Sequence, residues 1–339
     1  MARAAVLCGL GTYLPSRAVG NDDLARELDT SDEWIRSRTG IGQRYLAAPG
    51  QATSDLAVEA GERALKSAAS GTGPDGADAV VLATTTPDHS CPATAPVVAS
   101  RLGLGTVPAF DVAAVCTGFL YGLAAGAGLI ASGTADSVLV VGAETYSGIL
   151  DPADRSTRAI FGDGAGAVVL RAGAPDEPGA LGPLVLGSDG TGNELIQVPS
   201  GGSRRPFRAA RAHSEPADPY FRMAGRQVFR NAVERMSDAT TEAAARAGRR
   251  PEELDVLVAH QANLRILHAV ADRLRLPRER FPVHLDRVGN TSAASIPLAL
   301  ADAVTAGVLR PGHSTALTAF GGGLTWGATT LTWPAVVPV

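Results

Sequence analysis

Residues 107–133 read VPAFDVAAVCTGFLYGLAAGAGLIASG, and this stretch decides the fold class. An apolar run leads directly into Cys116, and a run of small residues with helical character leads away from it. The pattern predicts a buried strand that turns at once into a helix of small residues. Working outward, Ala79–Thr84, Ser137–Val141, Ala167–Leu170, Asp255–Ala259 and Thr315–Thr318 read as further buried strands. Leu56–Ala69 and Val228–Ala247 carry helical spacing between them. Alternation of this kind predicts an α/β fold.

The order of elements occurs twice. Asp78 leads the strand AVVLAT into a loop, and Asp255 leads VLVA into the loop that begins at His260. The strand before Cys116 has a counterpart in HLDRVG (284–289), which runs into Asn290 and the small-residue helix TSAASIPLALADAV. Each half closes on a strand with a Gly-rich turn, GDGAGAVVL at 162–170 and FGGGLTWGATTL at 320–331. Arg171–Pro183, rich in Gly, Pro and acids, is the expected seam. Residues 1–172 and 173–339 therefore read as two similar α/β halves packed around a shared centre.

Composition excludes several classes. The 339 residues allow about two domains or one duplicated unit, and 45% apolar with 19% charged residues excludes a disordered chain. A net charge of −4 offers no general basic surface for nucleic acid. No apolar run approaches the ~18 residues of a membrane span, and the start, MARAAVLCGLGTYLPS, lacks the pattern of a signal peptide. Cys8, Cys91 and Cys116 lie far apart without CxxC spacing, so neither a disulfide framework nor a zinc site is expected, and a reducing cytoplasm is. Neither GDGAGA nor GLGTYL fits a dinucleotide-binding turn.

Three residues could carry chemistry. Cys116 at a helix N-terminus is expected to have its thiolate favoured by free N–H groups, against the alternative of an inert buried thiol. His260, followed by Gln261, Ala262 and Asn263, ends a buried strand where α/β proteins handle ligands, or is a hydrogen-bonded core histidine. Asn290 sits where an N-cap would, and capping is its simplest reading. Trp34 and Arg38 in TSDEWIRSRTGI pair an aromatic face with a guanidinium that could stack on a nucleotide, or they form a solvated helix face.

Taken in order, Thr30–Gly42, the Cys116 segment, DPADR (151–155), FGDGAGAVVL, MAGRQVF (223–229), HQANLRI (260–266), GNTSAASIPLAL and AFGGGLTWG resemble the β-ketoacyl-[acyl-carrier-protein] synthase III group of the thiolase superfamily. The resemblance spans essentially the whole chain. It implies a five-layered αβαβα fold of two pseudo-symmetric halves, a homodimer, and no cofactor, acyl-CoA being a substrate. Matching positions make Cys116 the acyl-accepting nucleophile and His260 and Asn290 its catalytic partners, which overturns the capping preference for Asn290. Trp34, Arg38 and Arg155 match residues that hold the adenine and phosphates of coenzyme A. Gly225, Phe229 and Asn263 match the lining of the pantetheine channel, and the backbone N–H groups of Cys116 and Gly322 match the oxyanion hole.

The implied reaction is a decarboxylative condensation of an acyl-CoA primer with malonyl-acyl carrier protein, initiating fatty-acid or polyketide synthesis. Arg226, Arg230 and Arg265 are the expected docking contacts for the acidic carrier. Cys91 stands where relatives vary and often carry a larger residue lining the partner's acyl pocket, and Arg158 stands where they usually have an apolar or small one. A related acyltransferase forming an ester or amide without decarboxylation is the nearer alternative. A papain-like cysteine hydrolase is remote, because AAVCTGF in mid-chain is the wrong context for its cysteine.

Overall fold

The computed structural model describes residues 3–207 and 217–339. Its first part runs β1 (Ala4–Tyr13), β2 (Arg17–Gly20), α1 (Asn21–Ala25), α2 (Asp32–Thr39), β3 (Gln43–Leu46) and α3 (Thr53–Ala69). There follow β4 (Ala79–Ala83), α4 (Ala95–Arg101), β5 (Ala109–Val112), α5 (Gly118–Ala131), β6 (Ser137–Glu144), α6 (Arg155–Arg158) and β7 (Gly164–Gly173). The second part holds β8 (Val185–Ser188), β9 (Ile196–Gln197), β10 (Arg222–Met223), α7 (Gly225–Arg246), β11 (Val256–Ala259) and α8 (Leu264–Leu274). It ends with α9 (Leu285–Val288), α10 (Ser295–Thr305), β12 (Ser314–Gly321) and β13 (Thr325–Thr332).

Two mixed sheets form, ordered β1-β7-β6-β4-β5 and β8-β13-β12-β11. Four strands correspond in order, β1, β7, β6 and β4 with β8, β13, β12 and β11, and so does the local chemistry. The Ser137 N–H donates to the Asp78 carboxylate (2.9 Å) and the Ser314 N–H to Asp255 (2.8 Å), each bond spanning 59 residues. One expected element differs. HLDRV is the helical turn α9 rather than a strand, so the second sheet has no counterpart of β5. The physical reason is visible in its packing, where Leu285 and Val288 are both buried three residues apart, a helical and not an alternating pattern.

The layers follow from which faces are apolar. Along β4 and β6, Val81, Val138 and Val140 face Phe119, Leu120 and Leu123 of α5, whereas Val80, Leu82, Leu139 and Val141 face Leu56, Ala60 and Ala64 of α3. Strands buried on both faces read as continuous apolar runs. Ile296, Ala299 and Leu300 of α10 join α5 in the central layer and meet Val256, Val258 and Leu317 of the second sheet. The outer face of that sheet packs under α7 and α8 through Met236, Leu267 and Val270. Each such buried Val, Leu, Ile, Phe or Met side chain contributes roughly 1.5–3 kcal/mol. The result is a five-layered αβαβα fold. Helix α5 fits its layer because Gly122 and Gly126 lie so close to Val140 that a Cβ would approach within 3.0 and 3.1 Å of it.

Beyond β7, the expected seam crosses between the sheets. The Leu7 N–H donates to the Gly179 carbonyl (2.8 Å) and the Gly179 N–H to the Thr332 carbonyl (2.8 Å). No helix among the described residues is long and apolar enough to cross a membrane.

Candidate active site

Cys116 sits in the short 3-10 turn Val115–Thr117 that feeds α5, buried at 8% exposure. Val115 before it has φ 48°, and Ser292, at the same offset in the second half, also has φ 48° in the turn that feeds α10. The left-handed residue rotates the next side chain out of the strand direction at the start of each central helix. At Gly321 in β12 a Cβ would lie 3.0 Å from the Cys116 nitrogen, so only glycine lets that strand reach the backbone of the turn. Gly322, the expected oxyanion donor, is the next residue along.

Burial pushes the Cys116 thiol up to about 12; the charge of Glu144 adds to the rise, and the Ser292 hydroxyl opposes it. This corrects the expectation that the helix N-terminus would depress the thiol, because desolvation of the anion outweighs a dipole effect confined to the first turn.

His260 follows β11 and is 2% exposed. Burial lowers its pKa to about 3, so the ring is neutral. Nδ1 lies 2.6 Å from the Ser295 hydroxyl, which also accepts the Gln261 N–H at 3.4 Å. We assign the one hydroxyl hydrogen to Nδ1, its close acceptor at 2.6 Å, which leaves Nε2–H as the donor on the open side of the ring. Asn290 is pinned by its main chain, its N–H donating to Ile160 O (2.8 Å) and its C=O accepting from the Gly162 N–H (3.0 Å). Its Oδ1 accepts the Ser292 N–H (2.9 Å), leaving the amide NH2 as the free end. The oxygen does cap the following turn, so the capping and donor readings describe opposite ends of one side chain.

Cys116, His260 and Asn290 line one cavity of about 580 Å³. Arg38, Gly225, Arg226, Phe229, Arg230, Asn263 and Arg265 line it too. Arg38, Arg226, Arg230 and Arg265 are exposed and make no ion pair among the described residues. Asn263 N-caps α8 by accepting the Arg265 N–H (2.8 Å) and donates to Arg38 O (3.0 Å), so its amide locks the channel wall. Gln261 is occupied in the same way, bonded at both ends to backbone at Ala259, Pro282, His284 and Leu285, and handles no ligand.

Trp34 lies near this mouth with the Arg38 guanidinium 4.6 Å and the Arg155 guanidinium 5.0 Å from its ring centre. Arg155 also pairs with Asp29 (2.9 Å), and Arg158 pairs with Glu27 (2.9 Å). The two arginines strap residues 155–158 to the segment before α2, which supplies a role for Arg158. Cys91 is exposed and lies outside the cavity of its own chain.

Sequence reasoning did not single out the aromatic wall of Tyr146, Phe161 and Phe221, in which Tyr146 stacks on Phe161 at 4.5 Å and Phe221 meets both edge-on at 5.3 and 5.0 Å. It also missed the buried polar residues Glu144, Ser292 and Ser295. Their signal is polarity where an all-apolar strand ends (VLVVGAE) or a small-residue helix begins (NTSAAS).

Two family models match the chain: 3-oxoacyl-[acyl-carrier-protein (ACP)] synthase III over residues 110–190, and its C-terminal model over 244–333. A β-ketoacyl-[acyl-carrier-protein] synthase III of Streptomyces coelicolor is 64% identical over the full length of both chains. The chain belongs to the β-ketoacyl-[acyl-carrier-protein] synthase III family. The crystal structure of the Pseudomonas aeruginosa synthase III superposes with a TM-score of 0.92 at 53% identity, covering 99% of this chain and 100% of that one. The priming β-ketosynthase of the R1128 polyketide pathway superposes at 0.89 with 34% identity, over 98% and 97%. The protein is thus a condensing enzyme that transfers acyl groups, of the kind that initiates fatty-acid or polyketide synthesis.

Proposed function

We propose that the enzyme condenses an acyl-CoA primer with malonyl-acyl carrier protein through an acyl-cysteine at Cys116. The observation that carries this reading is the convergence of Cys116, His260 and Asn290 on one cavity. In the first half-reaction the Cys116 sulfur attacks the thioester carbonyl, the N–H groups of Cys116 and Gly322 receive the oxyanion, and coenzyme A leaves. Trp34, Arg38 and Arg155 take its adenine and phosphates, while Gly225, Phe229 and Asn263 line the pantetheine channel.

In the second half-reaction malonyl-carrier protein docks on Arg226, Arg230 and Arg265 and loses carbon dioxide. The electron pair moves onto the thioester oxygen, where His260 Nε2–H and the Asn290 amide donate hydrogen bonds. A neutral donor pair suits this step, since it stabilises the enolate without first forming an ion pair. The enolate carbon attacks the acyl-cysteine, and 3-oxoacyl-carrier protein departs. The reading extends to a cytoplasmic homodimer of chains whose halves are residues 1–172 and 173–339.

Incubation with acyl-CoA alone, read by intact-protein mass, is expected to add one acyl group, lost in Cys116→Ala. Malonyl-carrier protein added next should yield a product with the mass of 3-oxoacyl-carrier protein. Equal labelling of Cys116→Ala would sink the nucleophile assignment, and a product retaining the malonyl carboxylate would exclude decarboxylation.

A further inference from the structure

Primer loading, as read above, leaves one proton without a destination. Cys116 holds its hydrogen at neutral pH, and His260, neutral down to about 3, is too weak a base to take it. Another buried base is present. Glu144 ends β6 with no exposed surface. Its Oε2 accepts the Thr85 N–H (3.0 Å) and the Thr86 hydroxyl (2.9 Å), whereas Oε1 has no hydrogen-bond partner. The Ser292 hydroxyl is also buried and without a well-formed bond, although it lies close enough to Cys116 and to Glu144 to favour the anion of each. Buried polar atoms are nearly always paired, so the unpaired oxygens of Glu144, Ser292 and Thr85 around a nucleophile call for an explanation.

The backbone fixes this arrangement. The φ of 48° at Ser292 and the bond from its N–H to Asn290 Oδ1 hold the turn that carries the hydroxyl. At Gly142, two residues before Glu144, a Cβ would lie 2.4 Å from Ala293 O, so the end of β6 is pressed against that turn. The titratable groups facing Glu144 are the Cys116 thiol and the Tyr146 phenol.

We propose that Ser292 and Glu144 form a proton relay that takes the thiol hydrogen of Cys116 during loading and returns it to the departing coenzyme A sulfur. As the sulfur bonds to the acyl carbon, its hydrogen passes to the Ser292 oxygen while the serine hydrogen passes to the Glu144 carboxylate. When the tetrahedral intermediate collapses and the carbon–sulfur bond to coenzyme A breaks, the same two transfers run backwards and protonate the leaving thiolate. No net proton is gained or lost. Burial raises the Glu144 carboxyl to about 7, so near neutral pH it both accepts and releases a proton. The proposal rests on Cys116 being the acyl acceptor.

The test measures Cys116 acylation by acetyl-CoA against pH in the full enzyme, in Glu144→Gln, in Glu144→Asp and in Ser292→Ala. Malonyl-carrier protein decarboxylation without acyl-CoA is followed in the same proteins. Glu144→Gln and Ser292→Ala are expected to slow loading by roughly a hundredfold, with decarboxylation kept within about twofold. Glu144→Gln should also abolish the rise in loading rate centred near pH 7, and Glu144→Asp should restore part of both. Loading that is unchanged or faster in Glu144→Gln overturns the relay, because removing a negative charge beside the thiol would by itself ease thiolate formation. Joint loss of loading and decarboxylation overturns it as well. Absence of label on Cys116 in the unsubstituted enzyme would instead remove the nucleophile assignment, and the relay with it.

Discussion

Two buried groups of the site carry opposite acid–base tendencies. His260 binds a proton more weakly in the folded chain than in the unfolded one, so its contribution to stability is present above about 6.5 and is lost as pH falls toward 3. Glu144 is the reverse: its folded pKa is raised from 4.5 to about 7, so its contribution is full below 4.5 and is lost as pH rises through 7. Glu144→Gln should therefore raise Tm more at pH 8 than at pH 5, by an amount corresponding to a few kcal/mol. An equal Tm change at both values would show that the carboxyl is not the titrating group. For His260 and Asn290 the expected split is between half-reactions. Their Ala variants should acylate at Cys116 from acyl-CoA yet fail to decarboxylate malonyl-carrier protein, and loss of loading with normal decarboxylation would contradict the roles given. Cys116 and His260 were legible because each interrupts an apolar run at a strand end. Glu144 was not, because its meaning depends on a turn some 150 residues later in the chain, which only the packed sheet brings beside it.

At the scale of elements, the helix starts around the cavity are charged against their own dipoles. Arg226 is the second residue of α7 and Arg265 the second of α8, where a cation costs each helix about 0.3–1 kcal/mol. An acidic partner docking over both N-termini, as proposed above, would offset that cost. Arg265→Glu is therefore expected to leave Tm equal or slightly higher while raising the KM for malonyl-carrier protein, with the acyl-CoA half-reaction nearly intact. High salt should shrink the difference between the two proteins. An unchanged KM would take Arg265 out of the docking surface. The same helices show how far element-level reading reached. The spacing predicts a helix over Val228–Ala247, whereas the helix starts three residues earlier at Gly225, and those added residues bring Arg226 to the mouth. HLDRV misled for a different reason, since a short apolar–polar run fits both a strand and one helical turn until its packing partner is known.

Among the described residues, one sheet edge exposes apolar side chains on both its strand and the neighbouring helix. β5 is the terminal strand of the first sheet, and Phe110 on it and Val97 on the neighbouring α4 are 37% and 42% exposed. In the homodimer proposed above a second copy of the chain would cover this edge, and the exposed loop carrying Cys91 lies in sequence between β4 and α4, next to it. If that loop enters the partner's cavity, the side chain at 91 sets how deep the acyl pocket runs. Cysteine is smaller than phenylalanine, so the pocket should take primers longer or more branched than acetyl. Each further methylene buried there contributes up to about 0.8 kcal/mol, roughly a fourfold preference. The comparison is of kcat/KM for acetyl-, butyryl- and isobutyryl-CoA in the native enzyme and in Cys91→Phe. Phenylalanine is expected to penalise butyryl and isobutyryl selectively while acetyl holds. Equal loss across all three primers would mean that the loop supports the dimer without measuring the primer, because a steric stop must discriminate by size and a weakened interface must not.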